Sequence, residues 1–200
     1  ADERYPDSCF VEDAAIVTKK CAIITNPGAL TRKGEQIVIK ETLKKFYDNI
    51  EEIQAPGTIE GGDVMMVGDH FYVGLSARTN KEGAKQFIDI LRKYGYDGTM
   101  VPLSKVLHLK TGLAYLENNN LLVAGEFVEN PIFKDFNKVV IDENESYSAN
   151  CIWMNGTVIV PEGYEKTKKA IEELGYKIIE VDTSEYRKID GGLSCLSLRF

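Results

Sequence analysis

"GDVMMVGDHFYVGL" (Gly62–Leu75), followed by "TNKEGAKQFIDILRKYG" (Thr79–Gly95) and "GTMVPL" (Gly98–Leu103), decides the fold. The first stretch is two short apolar runs meeting at Gly68-Asp69, which predicts a β-hairpin. In the second, Ala84, Phe87, Ile88 and Leu91 share one helical face, and Gly95 stops the helix. The third reads as a short strand. The order is β-β-α-β.

That order recurs in "NCIWMNGTVIVPEGYEKTKKAIEELGYKIIEVD" (Asn150–Asp182), with a hairpin at Asn155-Gly156, a helix to Leu174 and a stop at Gly175. It recurs in "AAIVTKKCAIITNPGALTRKGEQIVIKETLKKFY" (Ala14–Tyr47), with a longer link between hairpin and helix. A weaker copy, with only a brief helix near Pro131, spans Leu113–Asp142. Four ββαβ units about 35 to 50 residues apart predict a circular or solenoid-like α/β assembly. A doubly wound sheet would instead alternate single strands with helices. No Gly-rich phosphate loop follows any strand, so nucleotide binding has no support.

Composition narrows the function classes. Hydrophobic residues make up 44% and charged residues 28%, ordinary values for a globular chain. The net charge of −7 argues against a nucleic-acid surface and leaves room for a cationic ligand. No apolar run approaches the roughly 20 residues of a membrane span, and no signal-peptide pattern is present. A cytoplasmic protein is expected. Cys9, Cys21, Cys151 and Cys195 are scattered without a Cys-x-x-Cys spacing, so neither a disulfide scaffold nor a metal knuckle is expected.

Few residues could carry chemistry. Cys195 alone among the cysteines follows a glycine-rich approach, Gly191-Gly192, and "LSLRF" after it alternates like a short final strand. The other three cysteines read as packing. His108, flanked by leucines, suits a packed core histidine as well as an acid/base; His70 reads as a surface residue. Asp7, Glu12 and Asp13 cluster around Phe10 and Val11, a pattern of a half-buried acidic wall. Glu60 sits on a Gly-Gly turn with Asp63, where ordinary turn chemistry is the simpler reading. Arg32 and Arg78 each precede a helix, at the end where a cation is disfavoured, which leans towards holding an anion. Acids with paired arginines suit an amino acid that carries a guanidinium.

Six segments, "PDSCFVED" (Pro6–Asp13), "PGTIEGGD" (Pro56–Asp63), "GLSARTN" (Gly74–Asn80), "LHLKTG" (Leu107–Gly112), "SANCIWMNG" (Ser148–Gly156) and "DGGLSCLSLRF" (Asp190–Phe200), occur in order along the chain. Together they resemble the bacterial-type dimethylarginine dimethylaminohydrolases of the guanidino-group-modifying (pentein) superfamily. The resemblance implies a pentein α/β propeller of pseudosymmetric ββαβ modules, four of five visible. Residues 1–200 are then a single catalytic domain, with a first module of about 50 residues expected ahead of Ala1.

The resemblance also implies roles. Cys195 matches the nucleophile, His108 the general acid/base and Glu60 the acid that orients it. Glu12 and Asp13 match the guanidinium-binding acids, Asp7 the residue holding the substrate amine, and Arg32 and Arg78 the carboxylate-binding pair. Phe10 and Ile189 match cleft-lining positions. The implied activity is hydrolysis of Nω-methylated arginine to citrulline and an alkylamine through a cysteine thiouronium, with no metal or organic cofactor. Alternatives are a hydrolase or amidinotransferase of another guanidino compound, such as arginine or hydroxyarginine, and a non-catalytic amino-acid-binding module. The expected partner is a small guanidino molecule, not a nucleic acid or membrane, and a homodimer is the expected assembly.

Overall fold

The computed structural model describes residues 2–199. The described residues form four three-stranded sheets, one per predicted module. The chain divides into two compact units, the first comprising 1–103, 107–109 and 195–200, the second 104–106 and 110–194.

In the first unit, β1 (Ala15–Val17) and β2 (Ala22–Ile24) form a hairpin, and α1 (Gln36–Leu43) leads to β3 (Ile50–Glu52), parallel to β2. The second module pairs β4 (Val64–Val67) with β5 (His70–Leu75) in the register Val64↔Val73, through the turn at Gly68. Helix α2 (Lys81–Lys93) then crosses to β6 (Asp97–Pro102), parallel to β5. Asn80 caps α2, its side-chain oxygen accepting the Gly83 N–H at 2.8 Å. Gly95, at φ +80°, ends the helix as its position predicts. Ala84, Phe87, Ile88 and Leu91 are all buried, joined by Phe71, Val73, Ile16 and Ile23 in one cluster. Phe71 meets Phe87 and Tyr96 edge-on, with ring centroids 5.8 and 5.5 Å apart. Each ring contributes about 1.5–3 kcal/mol by burial alone.

In the second unit, β7 (Leu113–Tyr115), β8 (Asn120–Val123) and β9 (Asn137–Val140) form the weakest module. Short 3₁₀ turns at Gly125–Phe127 and Pro131–Phe133 replace its helix. They still bury Phe127 and Phe133, so the crossover covers its sheet without an α-helix. The last module comprises β10 (Ile152–Met154), β11 (Thr157–Pro161), α3 (Glu165–Glu173) and β12 (Lys177–Val181). Asn155 and Gly156 both have positive φ, as a two-residue hairpin of this hand requires. Among the described residues no helix is long and apolar enough to cross a membrane.

One expected element does not form. Ser194–Leu196 is a 3₁₀ turn, and 197–199 join no sheet; Phe200 lies outside the described residues. Side chains anchor this segment in place of a ladder. Leu198 packs on the cluster of Ala15, Val17, Ala22, Ile24 and Leu43, and Arg199 reaches Glu12 at 2.6 Å.

Gly83 gives a test of this packing. Alanine is the better helix former by about 1 kcal/mol, yet a Cβ at Gly83 would run into the Thr58 backbone. Gly83→Ala should therefore destabilise the protein by about 1–3 kcal/mol in urea unfolding, the opposite sign to propensity.

Candidate active site

Two glycines let acids and an imidazole meet at the backbone. A Cβ at Gly61 would run into the Glu12 carbonyl, and one at Gly62 would lie 2.7 Å from His108 Nδ1 and 3.0 Å from Asp13 Oδ1. The Gly-Gly pair is therefore a requirement of close approach as well as of a turn.

Glu60 stands in extended conformation just before the 3₁₀ turn Gly61–Asp63 and is 1% exposed. Its Oε1 accepts the Ala29 N–H at 3.0 Å, and its Oε2 lies 2.8 Å from His108 Nε2. Asp13 is equally enclosed: Oδ1 accepts the Gly62 N–H at 2.7 Å, and Oδ2 pairs with Arg32 Nη1 at 2.5 Å. Asp13, Glu60 and His108 each offer a ligand-type atom, all within 4.8 Å of one another. That spacing is close enough for the three groups to act on one small cationic group, and each carboxylate also meets an N–H donor and a basic side chain. The cluster is an acid–base set built around one imidazole.

The electrostatics follow from that geometry. Burial disfavours the charged form of His108, but the Glu60 hydrogen bond and the charges of Asp13, Asp63 and Glu60 outweigh it, so its pKa is raised above 6.5. Burial likewise opposes ionisation of Glu60, yet the bonds from His108 and the Ala29 N–H, with the charges of His108 and Arg78, hold its pKa below 4.5. The pair is an imidazolium–carboxylate over the window between those values.

The two arginines differ. Arg32 is buried, paired with Asp13 and Glu35 at 2.5 Å each, and it donates to the carbonyls of Phe10 and Asp7 at 2.9 and 3.2 Å. Its Nε is buried without a hydrogen-bond partner. Arg78 is half-buried, and its guanidinium is in no ion pair among the described residues. Glu12 is buried and bound through Oε1 to Arg199. Phe10 is buried, and Asp7 is half-buried.

Burial separates the cysteines. Cys151 is enclosed and its thiol is pushed up to about 12, while burial also raises Cys21. Cys9 and Cys195 are the half-buried pair. In the second unit, Asn150 holds the residue before Cys195: its Oδ1 accepts the Ser194 N–H at 2.8 Å, and its Nδ2 donates to Ser194 Oγ at 3.1 Å and the Lys110 carbonyl at 3.0 Å. A Cβ at Gly192 would stand 2.5 Å from the Asn150 amide carbon. Ile189, in the same unit, is 53% exposed. Sequence reasoning missed Glu35 and Asn150, since an isolated Glu or Asn carries no sign of burial.

The arginine deiminase family model matches residues 3–147. The N(G),N(G)-dimethylarginine dimethylaminohydrolase of Pseudomonas aeruginosa is 65% identical over 200 residues, covering 100% of this chain and 79% of that protein. A solved structure of the Pseudomonas aeruginosa enzyme, a cysteine-to-serine mutant complexed with citrulline, matches with TM-score 0.98 at 64% identity, over 100% of this chain and 78% of its own. A histidine-to-glycine dimethylarginine dimethylaminohydrolase, solved as an adduct with S-methyl-L-thiocitrulline, also gives 0.98 at 64% identity, over 100% and 79%. The four-module pentein fold expected from the sequence therefore holds for this chain.

The Glu60–His108 pair sets a pH signature. The raised His108 pKa contributes stability that is complete below 6.5 and is lost as pH climbs through the folded-state value. The lowered Glu60 pKa contributes stability that is complete above 4.5 and is lost as pH falls through its folded-state value. Urea unfolding of wild type and Glu60→Gln should therefore differ most between those two values, by about 3–5 kcal/mol, and converge at both extremes.

Proposed function

The chain belongs to the dimethylarginine dimethylaminohydrolase family, and we propose that it hydrolyses Nω-methylated arginine to citrulline and an alkylamine through a thiouronium on Cys195. The observation that carries this reading is the buried His108–Glu60 pair at 2.8 Å with the Asp13 carboxylate beside it. An imidazolium held by one acid, next to a second acid, suits a substrate that is a planar cation with an amine leaving group.

A guanidinium carbon is a poor electrophile because its charge is shared by three nitrogens. Glu12 and Asp13 grip those nitrogens and fix the plane, so that attack becomes a matter of positioning. Cys195 Sγ adds to the carbon as thiolate. The carbon–nitrogen bond to the alkylamine breaks as His108 gives that nitrogen its proton, leaving the thiouronium. His108, now neutral, takes a proton from water as the water oxygen adds to the same carbon. Collapse expels the Cys195 thiolate as the hydroxyl proton passes to water and on to the released amine, leaving citrulline and an alkylammonium, and His108 ends protonated as it began. Glu60 stabilises the imidazolium at both ends of the cycle.

The substrate's amino-acid end falls to Asp7 for its amine and to Arg78 and Arg32 for its carboxylate. Arg78 offers a guanidinium that is in no ion pair among the described residues, and Arg32 offers Nε, the donor its ion pairs leave over. Phe10 and Ile189 line the cleft in this reading. Residence in the cytoplasm and a homodimer formed at open sheet edges belong to the same proposal. The arginine deiminase match favours arginine as a second substrate, since the same machinery would expel ammonia in place of an alkylamine.

A citrulline assay with dimethylarginine and arginine side by side tests the substrate. Faster release from dimethylarginine is expected, and equal rates would overturn that assignment. Cys195→Ser should lower turnover by about 10³-fold or more while citrulline binding, followed by calorimetry, changes by less than about threefold. Substantial residual turnover would remove Cys195 from the nucleophile's role.

A further inference from the structure

Asp63 is fully buried, three residues after Glu60, and its sequence context is that of a simple turn. Its hydrogen bonds are not local. Oδ1 accepts the Leu109 N–H at 2.9 Å, and Oδ2 accepts the Ser76 hydroxyl at 2.6 Å. The direction of the second bond follows from donor accounting. Ser76 Oγ already accepts the N–H groups of Arg78 and Thr79, at 3.0 and 3.2 Å, so its own hydrogen is left for Asp63. Thr79 Oγ1 accepts the Glu60 N–H at 3.2 Å. Every partner donates, and Asp63 serves only as an acceptor. Strand β5 makes room with Gly74, where a Cβ would stand 2.7 Å from Asp63 Oδ1.

Each donor belongs to a segment that bears a residue of the proposed reaction. Leu109 directly follows His108. Ser76 and Thr79 bracket Arg78. Thr79 also holds the backbone of Glu60. We propose that Asp63 is the positioning residue of this site: one buried carboxylate fixes the placement of His108, Arg78 and Glu60 relative to one another, without touching substrate. The proposal deepens the methylarginine hydrolase reading and rests on it for the meaning of those three residues.

A carboxylate so enclosed is costly to keep ionised, and burial does raise the Asp63 pKa despite its donors at Leu109 and Ser76. A neutral amide could not do the same work. Asparagine could accept from Leu109 with its oxygen, but its NH₂ would then face the Ser76 hydroxyl, whose oxygen already accepts two N–H groups and which has only its hydrogen to offer. The Ser76–Thr79 loop would have to let go, and Arg78 would move with it. The charge matters at His108 as well, which is surrounded by Glu60, by Asp13 with its Arg32 partner, and by Asp63.

The chain has two histidines, so the imidazole NMR signals are those of His108 and His70, the latter an internal control bonded to Thr99. In Asp63→Asn, kcat for dimethylarginine should fall about 100-fold, and the His108 titration should move down by about one pH unit while His70 stays put. A folded Asp63→Asn protein with wild-type kcat and an unmoved His108 overturns the proposal. Should that variant not fold, Ser76→Ala carries the test. It cuts only the arm to Arg78, so KM should rise about tenfold with kcat within about twofold and His108 unchanged. An unchanged KM there overturns the proposal equally. The titration needs no substrate: failure of the wild type to release citrulline would count against the function, while the NMR comparison still decides the role of Asp63.

Discussion

A carboxylate and an imidazole buried together, Glu60 against His108 at 2.8 Å, form the constraint on which the surrounding structure depends. Neither group is stable alone in so enclosed a place, because burial removes the water that would solvate its charge. The fold replaces that water with fixed donors. The Ala29 N–H serves Glu60, the Gly62 N–H serves Asp13, and the Leu109 N–H serves Asp63. Backbone can approach so closely only where side chains are missing, which is why Gly61, Gly62 and Gly74 cluster about these acids.

The module repeat gives distant residues equivalent places in their own modules. A 3₁₀ turn stands just ahead of the first strand of every module: Val11–Ala14 before β1, Gly61–Asp63 before β4, Leu109–Thr111 before β7 and Glu143–Ala149 before β10. Asp13 lies in the first, Glu60 opens the second, His108 opens the third, and Asn150 follows the fourth. Ser194–Leu196, which carries Cys195, is a turn of the same kind after the last module. The candidate residues thus occupy pseudo-equivalent positions in a repeated unit. One structural device, a tight turn that delivers a polar side chain at the mouth of a hairpin, is used repeatedly with different residues.

Legibility in the sequence follows the same division. The hairpins at Gly68 and Asn155-Gly156 and the apolar face of α2 were readable, because turn chemistry and a 3.6-residue period leave local marks. The terminal "LSLRF" was misread because period-two alternation looks alike in a strand and in a segment whose side chains alternate between a core and an ion pair. Leu198 packs inward and Arg199 reaches Glu12, but among the described residues 197–199 belong to no strand. For Asp63, an acid in a turn and an acid that gathers two distant donors have the same local sequence. His108 and Glu60 were separable from ordinary core and turn residues only through the family resemblance, since their partnership spans 48 positions.

Charge accounting in the first unit explains why a cation should be the guest. Its buried acids are Glu12, Asp13, Glu35, Glu60 and Asp63, whereas its buried bases are Arg32 and His108. Arg199 reaches in from a half-buried position to serve Glu12, and the shortfall of positive charge remains. Burial accordingly pushes the carboxyls of Glu35 and Asp63 up from their ordinary values, as expected where negative charge is not fully matched. A planar guanidinium entering beside Asp13 would supply the missing charge and the N–H donors together. Arg199 on Glu12 is, inside the protein, a guanidinium–carboxylate pair of the kind proposed for that substrate.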